Sequence, residues 1–256
     1  MQKQIQQHLQ TIEQDKSVSI FLACESGSRA WGFPSQDSDF DVRFLYVHRP
    51  EWYLSINKKP DVIECPIEGL LDINGWDIRK ALRLLRKSNA VLFEWLFSPI
   101  VYQEKSEIID KIRKLAPVYF SPPACHHHYL HLAKNTVRRH LQNEVINLKK
   151  IFYVLRPIFA CRWIEANLGI VPMSFDTLLE QVENSALKTA IFELLQHKKQ
   201  GKESSSEIVP SIITDFIMHE LPRLSLLSYP RKKVQQHSEA LDELFRQVIF
   251  QNIDLT

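Results

Sequence analysis

An apolar run, Val18–Cys24, is followed by a glycine–serine pair and then by a second strand-like run, and this order constrains the fold more than any other part of the chain. The apolar run is typical of a short buried strand. Gly27 and Ser28 favour a tight turn whose backbone N–H groups can cradle a phosphate. The run Asp39–Val47 predicts a second strand, so the sequence predicts two strands joined by a turn-rich segment.

Two acidic residues stand near the start of the second predicted strand. Because side chains alternate along a strand, Asp39 and Asp41 are expected to project from one face. Two neighbouring carboxylates repel each other unless a positive charge lies between them. Mg²⁺ commonly takes one or two carboxylates together with substrate phosphates. An acid pair alone is also typical of a solvated strand edge, but in combination with Gly27-Ser28 it indicates metal-assisted phosphoryl or nucleotidyl transfer.

The spacing of these residues resembles a known signature. Gly27-Ser28, a ten-residue spacer and Asp39-Phe-Asp-Val42 resemble the signature of the DNA polymerase beta nucleotidyltransferase superfamily. The longer string around it resembles one branch, the predicted bacterial and phage nucleotidyltransferases of the RNA repair pathway polymerase beta family. Further segments that resemble this branch are Asp72–Asn89, Phe93–Tyr102 and Lys149–Ile164. The resemblance runs from about residue 20 to about residue 180.

This resemblance implies an enzyme that depends on Mg²⁺ or Mn²⁺. It would transfer a nucleoside monophosphate from an NTP to an acceptor hydroxyl and release pyrophosphate. Asp39 and Asp41 would bridge two metal ions, and Asp72 matches the third metal-binding acid. Asp77 is the rival for the third acid, although its place directly before a predicted helix also suits a helix N-terminus.

The resemblance also implies a set of nucleotide contacts. Gly27 and Ser28 would bind the β and γ phosphates, with Arg29 as a further phosphate contact. On a predicted helix over residues 77–87, Lys80 or Arg83 would point toward phosphate, the alternative being a solvated helix face.

The helices that follow the catalytic sheet in such enzymes commonly close over the nucleotide. Lys149 or Lys150 would then neutralise the triphosphate, and Tyr153 would stack on the base or bind a hydroxyl. Lys149, Tyr153 and Arg156 share one helix face, so a plain surface stripe is the alternative.

The fold class predicted for the chain is α/β or α+β. A small mixed sheet with flanking helices would form a catalytic domain over residues 1–120, and a helical domain would cover residues 121–256. Within the second domain, apolar periodicity predicts one long helix from His126 to about Arg156, closed by Pro157. A flexible loop is predicted for Gly201–Glu207.

Composition sets few limits on partners. The net charge of +2 neither demands nor excludes nucleic acid. There is no apolar run of membrane-spanning length and no signal-peptide core, so a cytoplasmic protein without a membrane partner is expected. Four cysteines without a Cys-x-x-Cys pair are consistent with free thiols in a reducing compartment.

The sequence does not select one acceptor. RNA 3′ ends, a protein side chain and a small molecule are all candidates, as is a non-catalytic nucleotide- or nucleic-acid-binding module. The cluster His126–His128 with His131 could hold zinc or orient a nucleotide, but it lacks a zinc-binding motif and is also ordinary at a helix start.

Overall fold

The structure is a computed structural model that describes residues 1–141, 145–201, 206–229 and 238–251. The helices are α1 (Gln2–Lys16), α2 (Gly27–Ala30), α3 (Pro50–Tyr53), α4 (Ile78–Arg86), α5 (Ala90–Leu96), α6 (Ser106–Tyr119), α7 (Pro122–His140), α8 (Leu148–Glu165), α9 (Phe175–Glu180), α10 (Ser185–Gln200), α11 (Ser211–Ser225) and α12 (Glu239–Gln251). The strands are β1 (Val18–Ser26), β2 (Phe40–His48), β3 (Val62–Glu64), β4 (Leu71–Asp77), β5 (Val101–Glu104), β6 (Val145–Asn147) and β7 (Ser206–Ile208).

The chain divides into two compact units. The first contains Met1–Gly27, Asp39–Tyr119 and Val234–Thr256, and the second contains Ser28–Ser38 and Phe120–Lys233. The predicted boundary near residue 120 has a counterpart between Tyr119 and Phe120. Segment 28–38, however, belongs to the second unit although it precedes this boundary, and segment 234–256 belongs to the first unit although it follows it. The division into a catalytic and a helical domain stays a prediction.

The first unit is built on a mixed five-stranded sheet with the order β3-β4-β2-β1-β5. Strands β2 and β4 are parallel, and the other neighbours are antiparallel. A parallel pair needs a crossover connection, which here runs through α3 and β3. The mixed α/β fold predicted from the sequence is confirmed.

One face of this sheet carries a hydrophobic core beneath α1. Ile5, Leu9 and Ile12 recur at helical spacing and pack with apolar side chains of β1, β2, β3 and β4. On β4 the pattern alternates, with Leu71 and Ile73 buried and Asp72 and Asn74 partly exposed. Burial of alternate residues fixes the register, because a slip of one residue would turn every side chain to the other face.

The second unit contains helices α7 to α11 and the two-stranded β6-β7 sheet. The single long helix predicted from His126 to Arg156 is wrong. Helix α7 ends at His140, strand β6 intervenes, and α8 starts at Leu148 and continues through Pro157 to Glu165.

Pro157 does not end α8 because burial outweighs the proline penalty. A proline inside a helix removes one hydrogen bond and costs about 3 kcal/mol. From Ile151 to Cys161 every residue of α8 except Tyr153 is buried. Apolar burial on this scale stabilises the helix by more than the proline costs.

The loop predicted for Gly201–Glu207 falls largely outside the described residues, because 202–205 are not described. Ser206–Ile208 pairs antiparallel with Val145–Asn147. In the described ranges, no helix has both the length and the apolar character that a membrane crossing requires.

Candidate active site

Asp41 and Asp72 are register partners on the neighbouring parallel strands β2 and β4. Val42 and Ile73, the next residue on each strand, belong to the core beneath α1. Because side chains alternate, both carboxylates therefore project from the opposite face of the sheet. Asp39 is exposed and directly precedes β2, two residues from Asp41. The structure thus brings Asp41 and Asp72 together and places Asp39 at the start of the same strand.

Gly27 lies directly against the Asp41 carboxylate. Its φ of +69° belongs to the left-handed region that favours glycine. A β-carbon on Gly27 would stand 2.3 Å from Asp41 Oδ2 and 3.2 Å from Asp41 Cγ. The glycine of the predicted signature is therefore required both by the backbone and by the side chain that it faces.

A buried carboxylate, Glu25, fixes the start of β2. Its Oε1 accepts a hydrogen bond from the Asp41 backbone N–H (2.8 Å), and its Oε2 accepts one from the Tyr102 hydroxyl. The Ser98 hydroxyl donates to the Glu25 carbonyl oxygen (2.7 Å). A buried charge needs such partners. Glu25 was not predicted as a site residue, since its partners come from distant parts of the chain.

Arg43 links the two facing carboxylates. Its Nη2 lies 3.1 Å from Asp41 Oδ1 and 2.7 Å from Asp72 Oδ2. Its Nη1 donates to the backbone carbonyl oxygens of Val42 and Asp72, each at 3.0 Å. Arg43 was not predicted from the sequence, although the alternation that puts Asp39 and Asp41 on one face puts residue 43 there too.

Asp77, the rival for the third acid, has a different structural role. It stands five residues from Asp72 along β4, which places the two side chains on opposite faces. Asp77 is the N-cap of α4, accepting from the Arg79 backbone N–H (2.7 Å), and it also accepts from the Tyr53 hydroxyl (2.6 Å). Burial raises the pKa of this carboxyl, although both hydrogen bonds oppose the shift. The geometry therefore favours Asp72 as the acid that accompanies Asp41.

The segment that carries Ser28 is held together by hydrogen bonds among its own residues. The Ser28 hydroxyl donates to Ser38 Oγ (3.3 Å), which also accepts from the Ser35 backbone N–H (2.9 Å). Arg29 Nη2 donates to the Ser38 carbonyl oxygen (2.6 Å), and the Phe33 N–H donates to the Ser28 carbonyl oxygen (3.0 Å). Ser28 and Arg29 thus order this loop, and their contacts with phosphate stay predictions.

Helix α8 presents its predicted face to Trp31 of the same loop. The Tyr153 ring meets Trp31 edge-on at 5.0 Å, and the Arg156 guanidinium lies 4.5 Å from the Trp31 ring centre. Lys149 and Lys150 lie 5.6 and 5.7 Å from the Tyr153 ring. Within the second unit, the loop of Ser28 and the predicted nucleotide contacts Lys149 and Tyr153 are therefore neighbours.

A buried lysine anchors the same loop. Lys198 of α10 is 1% exposed, and its Nζ donates to the Phe33 carbonyl oxygen (2.7 Å) and to Ser35 Oγ (3.0 Å). Lysine is almost never this buried without partners. The sequence contains no local sign of this contact, because 163 residues separate Lys198 from Ser35.

The contacts of Lys80 are with Asp61 and Trp76. Its Nζ lies 3.6 Å from Asp61 Oδ1 and 5.6 Å from the Trp76 ring. Helix α4 starts at the opposite end of β4 from Asp72, which is about 16 Å along the strand. Arg83 of the same helix lines a cavity of about 340 Å³ beside α12. A nucleotide contact by Lys80 remains a prediction.

The histidine cluster shows packing contacts. His126 is buried, its ring lies 4.9 Å from that of Tyr229, and burial lowers its pKa. His127 and His131 stack at 6.2 Å. In the described part of the chain, no group of three or more His, Cys, Asp or Glu residues is arranged to hold a metal ion.

The sequence model of the RNA repair pathway DNA polymerase beta family matches residues 1–247. An uncharacterized protein of Bacillus subtilis (strain 168), YcgL, is 49% identical over 225 residues, which cover 88% of this chain and 86% of that protein. A nucleotidyltransferase-like protein from Exiguobacterium sibiricum 255-15, known from a crystal structure, is 15% identical, with a TM-score of 0.34 over 95% of this chain and 80% of its own. The resemblance found in the sequence is confirmed, and the chain belongs to the RNA repair pathway DNA polymerase beta family.

Proposed function

We propose that this protein is a nucleotidyltransferase that depends on Mg²⁺ or Mn²⁺ and moves a nucleoside monophosphate from an NTP to an acceptor hydroxyl. The observation that carries the proposal is the approach of Gly27 to Asp41, with Asp72 opposite Asp41 on the parallel strand. Family membership supports the reaction class. The same carboxylates on a plain strand edge would not need a glycine packed against them.

The residues present fit a hard divalent cation. Carboxylate oxygens are the ligands that Mg²⁺ and Mn²⁺ prefer. Asp39 and Asp41 are the first candidates, with Asp72 as the third acid. In the described ranges these three acids are not arranged as a metal site, and Asp72 pairs with Arg43 instead. Mg²⁺ in such sites usually completes its shell with substrate phosphates and water.

In the proposed reaction the acceptor oxygen forms a bond to the α-phosphorus, and the bond from that phosphorus to the bridging oxygen of the β-phosphate breaks. Pyrophosphate leaves, and the acceptor hydroxyl gives its proton to solvent. The bound metal would lower the pKa of the acceptor hydroxyl and offset charge on the transferred phosphoryl group. Gly27 and Ser28 would hold the β and γ phosphates through backbone N–H groups, while Lys149 and Tyr153 would contact triphosphate and base.

Possible acceptors are an RNA end, a protein side chain and a small molecule, and the family description makes RNA the first to test. We further propose a cytoplasmic setting for the reaction; Cys24, Cys125 and Cys161 are buried free thiols.

The experiment is incubation with each α-³²P-labelled NTP and Mg²⁺, with RNA, with the protein alone and with small-molecule acceptors. Asp39→Asn/Asp41→Asn should abolish transfer of label. The matched control is Asp110→Asn/Asp242→Asn, which changes the same charge on α6 and α12 and should retain transfer. Metal-dependent NTP binding without transfer to any acceptor would instead favour a binding or regulatory module. Absence of NTP binding would contradict the proposal.

A further inference from the structure

We propose that Arg43 is a positioning residue that competes with the divalent metal for Asp41 and Asp72, so that the nucleotide-free protein binds the metal only weakly. The inference rests on the proposed function, because it concerns the same carboxylates. It adds a residue to which neither the family description nor the predicted signature gives a role.

The contacts of Arg43 engage the carboxylate oxygens that a metal would need. Nη2 contacts Asp41 Oδ1 and Asp72 Oδ2 at 3.1 and 2.7 Å. The second oxygen of Asp72, Oδ1, accepts from the Asn74 side-chain amide at 3.2 Å. Both oxygens of Asp72 therefore already accept a hydrogen bond within the sheet, so a cation has to compete with these donors for the carboxylate.

The guanidinium is held firmly in this position. Its second nitrogen donates to two backbone carbonyl oxygens, those of Val42 and Asp72. The Arg43 side chain is 14% exposed and each of its two carboxylate partners 28%. Partial burial strengthens these charge-assisted hydrogen bonds.

Two effects on metal binding follow. A fixed positive charge beside the site repels a dication regardless of which acid binds it. In addition, Asp72 is a weaker metal ligand while its carboxylate is paired with Arg43. A substitution at Arg43 removes both effects, whereas in an Asp72→Asn background it removes mainly the first. A double-mutant cycle separates them.

The test is Mn²⁺ titration of nucleotide-free protein, with free Mn²⁺ followed by electron paramagnetic resonance. Arg43→Gln should lower the Kd for Mn²⁺ at least about fivefold. In the Asp72→Asn background, the fold decrease in Kd caused by Arg43→Gln should be at least about three times smaller, because the Asp72 carboxylate is missing. Arg246→Gln, which removes an exposed guanidinium from α12, should leave the Kd unchanged.

An unchanged or higher Kd in Arg43→Gln, or an equal gain in both backgrounds, would overturn the inference. If Arg43→Gln does not fold, Arg43→Lys replaces it: a lysine cannot span both carboxylates and two carbonyls, so tighter binding is still required. The variant Asp39→Asn/Asp41→Asn distinguishes a failure of the proposed function from a failure of the inference about Arg43. Mn²⁺ binding that survives this double substitution counts against the proposed function, whereas binding that it abolishes but Arg43 does not modulate counts against the inference alone.

Discussion

Gly27 and Asp41 are packed so closely that a β-carbon on Gly27 would lie 2.3 Å from Asp41 Oδ2. The glycine also has a φ of +69°, which costs an L-residue about 1–2 kcal/mol. Gly27→Ala should therefore destabilise the protein by about 2–3 kcal/mol and weaken Mn²⁺ binding more than about tenfold, since Asp41 must move. Thermal unfolding and Mn²⁺ titration measure the two effects.

Gly69→Ala separates backbone strain from crowding. Gly69 has a similar φ of +61°, but nothing lies within 4 Å of a β-carbon built there. This variant should lose only the backbone contribution of about 1–2 kcal/mol and should bind Mn²⁺ as the wild type does. Equal loss of Mn²⁺ binding in the two variants would show that the approach to Asp41 does not matter.

Asp72 and Asp77 should give opposite results when substituted. Asp72→Asn should lower nucleotidyl transfer by about 100-fold with little change in stability. Asp77→Ala removes the α4 cap and the Tyr53 contact, so it should cost about 1–2 kcal/mol of unfolding free energy. Transfer by the folded Asp77→Ala protein should persist. Loss of activity in Asp77→Ala at a temperature where it is folded would identify Asp77 as the third acid.

Lys198 should affect nucleotide binding through the loop that contains Ser28. Lys198→Met keeps the length and the apolar stem, but leaves the Phe33 carbonyl and the Ser35 hydroxyl without this donor. We expect a loss of about 1–3 kcal/mol in stability and a weaker affinity for NTP. The neighbouring Lys199→Met, whose side chain is only partly buried, is the control for charge. Identical NTP affinity in Lys198→Met and wild type would show that the contacts of Lys198 with this loop do not affect nucleotide binding.

His48 should make stability depend on pH. Burial lowers its pKa to about 4, against an ordinary value near 6.5. Between these values the unfolded chain binds more protons than the folded one, so the unfolding free energy falls as the pH falls through this window. The His48 ring stacks on Trp52 at 3.7 Å, and His48→Phe keeps a ring there without the titration. Between pH 7 and pH 4, the unfolding free energy measured with urea should fall by about 1–2 kcal/mol less in His48→Phe than in the wild type. The same pH dependence in both proteins would contradict a role for His48.

The first unit was predictable where local signals agree. The apolar run of β1 and the strand β2 each follow from a short stretch of sequence and are confirmed, whereas Gly27 and Ser28 begin the short helix α2 in place of the predicted tight turn. Asp72 and Asp77 could not be separated in this way. Strand β4 runs from Leu71 to Asp77 and carries both acids, and only the observed register shows which of them faces Asp41.

The remaining differences depend on tertiary packing. Pro157 is a local signal for a helix end, but the buried surroundings of α8 override it. Glu25 and Lys198 acquire their roles from partners 77 and 163 residues away, which no local pattern encodes. Arg43 is the exception, because the two-residue period alone places it beside Asp41.

Metal binding by Asp39 and Asp41 is tested most directly by a crystal structure with Mn²⁺ and α,β-methylene-ATP, in which Mn²⁺ is located by anomalous scattering. We expect an anomalous peak about 2.0–2.3 Å from carboxylate oxygens of Asp39 and Asp41, with triphosphate oxygens completing the shell. Soaked Asp39→Asn/Asp41→Asn crystals should lack the peak. A contradictory result would be Mn²⁺ bound at the histidine cluster or elsewhere, away from Asp39 and Asp41, while nucleotide is present.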